Sequence, residues 1–239
     1  FWKNTEIITG EKNARGIDLH LETKEGVKET VPFEKVLVAV GRSPQTELLG
    51  LKNTQAKIDE RGYIIINEKC QTSDPHILAI GDITNGPALA HRAMYMGKIA
   101  AEVCVGLPSA FDAQVVPGVI YSDPEMAWVG MQEPDAVKSG RSFISGTFPY
   151  SASGRSLGAN RPIGFVKVLA DPNSHLILGG LIVGAHASDM IAELGLAIEM
   201  GARLEDVSGT IHPHPTYNEA ILEACESALK KCVHLPGGK

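Results

Sequence analysis

The residues best suited to moving a proton sit in one run, His212-Pro213-His214-Pro215-Thr216-Tyr217-Asn218-Glu219. Imidazole titrates near neutral pH, so a firmly held histidine can take a proton and give it back. Prolines on both sides of His214 restrict the backbone and present the ring from a stiff segment rather than a mobile loop. Glu219, five residues on and inside the first turn of a predicted helix, is placed to hold one ring N–H and fix the tautomer, leaving the other nitrogen to accept a proton. The same run also reads as a helix start, with Thr216 as N-cap, Glu219 as the glutamate of a capping box, and the histidines as loop residues. The two readings are compatible, but one carboxylate cannot be assumed to serve both.

A second constellation is Thr72-Ser73-Asp74-Pro75-His76-Ile77-Leu78-Ala79-Ile80-Gly81-Asp82. A strand over Ile77–Asp82 would deliver Gly81 and Asp82 at its C-terminal edge, where ligands bind in open α/β sheets. There Asp82 can accept hydrogen bonds from a polyol; a plain turn aspartate is the alternative. A helix starting near Ala88 would point free backbone N–H groups at whatever lies in front of it, which favours an anion. Gly41-Arg42-Ser43-Pro44 marks a tight exit from a strand and by itself implies only a loop.

The elements that must position these residues follow from periodicity. Glu6–Ile8, Ile17–Thr23 and Val27–Val31 alternate as a short meander, and Val36–Gly41 is a continuous apolar run suited to a strand buried on both faces of an α/β sheet. Gly62–Asn67 and Ile77–Asp82 read as strands, and Ala88 to about Cys104 as a helix with Pro87 at its first turn. Beyond a linker at Gly106-Leu107-Pro108-Ser109, strands are predicted at Val116–Tyr121, Met126–Val129, Ser142–Pro149, Gly164–Leu169 and Ile177–Val183. Helices follow at Ala187–Met200, Leu204–Ser208 and Tyr217–Lys231. Strands grouped before helices indicate an α+β domain after an α/β region.

Composition narrows the classes. The 239 residues are 44% hydrophobic and 21% charged, as expected of a globular chain with one or two cores. A net charge of −6 without a Lys/Arg cluster argues against nucleic acid and anionic membranes as partners. No apolar run reaches the length of a membrane span. Cys70, Cys104, Cys225 and Cys232 match neither a zinc site nor a Cys-x-x-Cys pair, so no metal site is expected and a reducing compartment is favoured. The opening Phe1-Trp2-Lys3 has no initiator methionine or leader pattern, from which the chain is expected to be a piece of a longer one.

Five motifs stand in order along the chain: Val38-Ala39-Val40-Gly41-Arg42-Ser43-Pro44, Ile80-Gly81-Asp82, Ala90-His91-Arg92-Ala93, the stretch from Val119 to Gly130, and His212–Glu219. Together they closely resemble the class I pyridine nucleotide-disulfide oxidoreductases. The doubled His-Pro-His-Pro-Thr is similar to the dihydrolipoamide dehydrogenase branch more than to the glutathione reductases; another disulfide reductase of the class is the alternative.

The resemblance implies the tail of a Rossmann-like NAD-binding domain at residues 1–41, the returning part of an FAD-binding region at 42–114, and an α+β interface domain at 115–239. It implies FAD and NAD as cofactors of the intact protein, with Gly41, Asp82, Leu89, Ala90 and His91 on the cofactor side and Asp82 at the ribityl chain. His214, polarised by Glu219, would be the acid/base that deprotonates dihydrolipoamide, acting in the other subunit of a homodimer, and the His214-Pro215 bond would be cis. Lipoyl domains of 2-oxo acid dehydrogenase complexes would be the partners, in a cytoplasm or a mitochondrial matrix. Met96, where an acidic residue is common, and Tyr217-Asn218, in place of Leu-Ser, depart from the pattern. Neither Gly-x-Gly-x-x-Gly nor the family's Cys-x4-Cys pair occurs, so the fragment alone is expected to be inactive or to serve as a dimerisation module.

Overall fold

The structure, a computed structural model, describes residues 1–235 and divides into two compact units, Phe1–Pro44 and Gln45–Lys239. The first is an antiparallel meander of β1 (Thr5–Asn13), β2 (Gly16–Thr23) and β3 (Lys28–Phe33), with β2 central. The alternation of Ile17, Leu19 and Leu21 on β2 is what a strand with one covered face needs, and Leu21 is buried. The predicted strand at Val36–Gly41 is not formed. Residues 34–40 are irregular, and Leu37, Val38 and Val40 are exposed. A strand buried on both faces needs a ladder neighbour and a covering layer, and among the described residues none pairs with this run.

The second unit opens with irregular chain. Gly62–Asn67 and Ile77–Asp82, both predicted as strands, form only isolated bridges: Ile58 with Ile64, Ile64 with Thr84, and Gln71 with Leu78. Local side-chain bonds take the place of a ladder. The Gln55 N–H donates to Asp74 Oδ2 at 3.0 Å, the Ser73 hydroxyl to Gln55 O at 2.6 Å, and the Tyr63 N–H to Asp59 Oδ1 at 2.9 Å. Helix α1 (Ala90–Cys104) packs Met96 and Ile99 on Cys70, forming a small core of its own. It starts two residues later than predicted because Leu89 is extended, which leaves Pro87 ahead of the first turn.

The main core lies further on. Strands β4 (Gly118–Ile120), β5 (Met126–Gly130), β6 (Ile144–Pro149), β7 (Phe165–Ala170) and β8 (Ile177–Val183) form an antiparallel sheet in the order β4-β5-β8-β7-β6. Two short helices, α2 (Glu133–Ser139) and α3 (Gly154–Gly158), interrupt the strands. Three more follow them: α4 (Ala187–Glu199), α5 (Leu204–Ser208) and α6 (Glu219–Ala228). Met190, Ile191, Leu194, Ala197 and Ile198 of α4 and Ala220, Ile221, Ala224 and Cys225 of α6 recur at helical spacing and join Val129, Val166, Val168 and Ile182 of the sheet in one buried cluster. Gly146 on β6 allows α6 to lie against the sheet, since a Cβ there would stand 2.1 Å from Ala224 O and 2.3 Å from Ala228 N. Among the described residues no helix is long and apolar enough to cross a membrane.

Candidate active site

The segment between α5 and α6 carries the proposed acid/base pair. The His214-Pro215 bond is cis, and the His214 side chain is 78% exposed. Its Nδ1 lies 2.8 Å from Glu219 Oε1, while Glu219 Oε2 accepts the Thr216 N–H at 2.7 Å. One carboxylate therefore serves both the ring and the turn that leads into α6, one oxygen to each; the N-cap is Asn218 and not Thr216, which lies two residues ahead of it. The Thr216 hydroxyl does not complete a capping box; it donates to Pro213 O at 2.8 Å. With Nδ1–H committed to a carboxylate, Nε2 is the ring nitrogen left to exchange a proton with a neighbour.

Burial pushes the Glu219 carboxyl up, but the Thr216 N–H and the His214 ring outweigh it and hold the group below its ordinary value. A carboxyl depressed in the native state adds stability above its unfolded value, about 4.3, and that gain disappears as pH falls through the lower native value. The thermal midpoint of the wild-type chain should therefore exceed that of Glu219→Gln above this range, and the two should converge on acidification toward pH 3. A gap that keeps its size down to pH 3 would mean that the contacts do not depend on the charge.

The other histidine of the motif is held differently. The His212 side chain is only 6% exposed; Nε2 lies 2.8 Å from Glu193 Oε1 on α4, and Nδ1 lies 2.8 Å from Thr210 O. The second oxygen of Glu193 accepts the Asn218 amide at 2.6 Å. Tyr217 is buried, its ring 4.8 Å from that of His186 and 5.7 Å from that of Tyr150, with the Arg155 guanidinium 5.5 Å from its centre. Sequence reasoning missed Glu193 and Arg155. Glu193 lies 19 residues from His212 and Arg155 lies 62 residues from Tyr217, beyond any local pattern.

Four of the five cofactor candidates, Asp82, Leu89, Ala90 and His91, lie elsewhere in the second unit. Asp82 is exposed in a short 3-10 turn, Gly81–Ile83, which packs on α1 near Ala93. The Arg92 guanidinium pins this loop by donating to Asn85 O at 2.7 Å. Leu89 is the N-cap of α1, and Ala90 and His91 open its first turn, which has neither an acidic residue nor a side-chain cap. Such an uncapped start suits an anionic or electron-rich group. The His91 ring donates through Nε2 to Pro117 O at 2.8 Å. Gly41 lies in the first unit with a φ of 122°, a conformation glycine takes readily. Among the described residues no cluster of His, Cys, Asp or Glu converges as metal ligands would. The four cysteines are free; burial pushes the Cys225 thiol up to about 12 and the Cys232 thiol to about 11.

Residues 3–97 match the family described as pyridine nucleotide-disulphide oxidoreductase, and residues 116–225 match its dimerisation domain. The dihydrolipoyl dehydrogenase of Haloferax volcanii is 47% identical over 220 residues, covering 92% of this chain and 46% of its own. That of Geobacillus stearothermophilus is 45% identical over 239 residues, covering 98% and 51%. The chain thus spans about half the length of the curated relatives it matches. Among solved structures, LpdA from Mycobacterium tuberculosis superposes with a TM-score of 0.85 at 23% identity over 94% of this chain and 48% of its own, a likeness of fold. With family matches over both ends of the chain and relatives of this identity, the chain belongs to the pyridine nucleotide-disulphide oxidoreductases.

Proposed function

We propose that this chain is the C-terminal half of a flavoenzyme that oxidises dihydrolipoamide with NAD, and that His214 is its acid/base. The pairing of His214 Nδ1 with Glu219 at 2.8 Å on an exposed ring carries the reading. Nε2 takes the proton from one substrate thiol, and the resulting thiolate attacks a disulfide sulfur held in the other part of the protein. Glu219 fixes the tautomer and stabilises the protonated ring. FAD, held by the region that carries Asp82 and the start of α1, would supply the two-electron redox chemistry that links thiol oxidation to NAD.

In this reading residues 1–41 close the NAD-binding domain, 42–114 belong to the FAD-binding region and 115–239 form the interface domain. Asp82 would hold the flavin's ribityl chain, the helix start at Leu89, Ala90 and His91 would face its electron-rich edge, and Gly41 is assigned to cofactor binding. A homodimer brings His214 to the partner's active site, and lipoyl domains of 2-oxo acid dehydrogenase complexes deliver the substrate, in a cytoplasm or a mitochondrial matrix. The alternative substrate is glutathione. Anaerobic mixing of the intact flavoenzyme should give rapid flavin reduction with dihydrolipoamide and essentially none with glutathione; the reverse preference would refute the assignment.

A further inference from the structure

The two histidines of the motif are held in opposite ways. His214 is exposed and gives one ring nitrogen to a carboxylate, whereas the His212 ring is enclosed and both its nitrogens face oxygens. A ring engaged on both sides is in place to hold a shape, and this one holds the segment from which His214 projects.

We propose that His212, Glu193 and Asn218 form a brace that sets the position of the His214 ring, with His212 as a positioning residue. The inference rests on the acid/base reading of His214. Glu193 projects from α4, and its two oxygens hold the segment at both ends, His212 through Oε1 and Asn218 through Oε2. Between these ends Pro213 and Pro215 have no N–H to give, so side chains must do the fixing. Asn218 immediately precedes Glu219, which in turn holds both His214 and the Thr216 N–H. Position is relayed from α4 to Glu193, to Asn218, to Glu219 and so to the His214 ring. The His212 ring is 6% exposed and Glu193 28%, so loss of the carboxylate would leave an enclosed ring nitrogen without its partner.

The test uses the intact flavoenzyme. His212→Ala should lower kcat for dihydrolipoamide-driven flavin reduction about 10-fold, as loosening a positioned group does. It should leave KM for dihydrolipoamide and the NADH-driven reduction of the flavin unchanged. His212→Gln, which keeps an N–H for Glu193, should restore most of the rate. Hydrogen exchange should accelerate over residues 210–218 in the alanine variant while β8 stays protected. A full rate in His212→Ala, a loss shared by the NADH-driven step, or a glutamine variant as slow as alanine would each overturn the brace. His214→Gln in the same assay separates the two ideas: if it is fast, the acid/base reading fails, and if it is slow while His212→Ala is fast, only the brace fails.

Discussion

Replacing His214 by glutamine in the intact flavoenzyme should slow flavin reduction by dihydrolipoamide on the order of 100-fold or more, as removal of a positioned base does. Such a loss corresponds to about 2.7 kcal/mol of transition-state stabilisation. The variant is chosen because a glutamine amide can still donate toward Glu219 Oε1, where the His214 Nδ1 now lies at 2.8 Å. What it cannot supply is a basic nitrogen. Reduction of the flavin by NADH needs no thiol deprotonation and should continue at the wild-type rate, so the two half-reactions together distinguish loss of a base from general damage. An unchanged dithiol half-reaction would remove His214 from the mechanism.

A loss of comparable size, in stability rather than rate, is expected at Gly146. A methyl group there would meet backbone at 2.1 Å, at Ala224 O, and at 2.3 Å, at Ala228 N, neither of which can rotate away as a side-chain tip would. Either α6 lifts from the sheet or β6 bends. Gly146→Ala should therefore destabilise the second unit by about 3 kcal/mol, the upper part of the usual range for overpacking. Gly154→Ala is the matched control, because nothing lies within 4 Å of its added carbon. Denaturant unfolding of the two variants checks the contrast; equal midpoints would mean that α6 and β6 are free to separate. Because Glu219 opens α6, a lifted helix should also disturb the His214 pair.

The later strands and helices were legible because each carries its own pattern. β8 and α5 fall where predicted, at Ile177–Val183 and Leu204–Ser208, and β5, β7 and α4 lie within a residue or so. Their partners are in the chain, so local periodicity and tertiary burial agree. Val36–Gly41 shows the converse, since its apolar letters describe a strand whose neighbours are not among the described residues. At Gly62–Asn67 and Ile77–Asp82 the polar side chains of Asp59, Ser73 and Asp74 hold turns instead. Helices α2 and α3 were missed although signals existed: Pro134 in the first turn and Gly140 at a left-handed C-cap for α2, and Ser153 accepting the Ser156 N–H for α3. Both are too short to show a hydrophobic stripe. At the site, the pairing of His214 with Glu219 was readable because both lie in one segment. The hold of Glu193 on His212 and Asn218 was not, because it crosses from another helix.

The double duty of Glu219 couples two traits that protein engineers usually treat separately. Improving a helix start is a standard route to thermostability, and the start of α6 has no side-chain cap on Asn218. Any substitution that draws the Glu219 carboxylate more firmly onto the backbone would take it from the imidazole, and any that gave it wholly to the imidazole would release the Thr216 N–H in the turn that leads into the helix. Variation at this corner is thus confined to changes that keep both oxygens occupied, so gains in heat resistance should be sought on other helices.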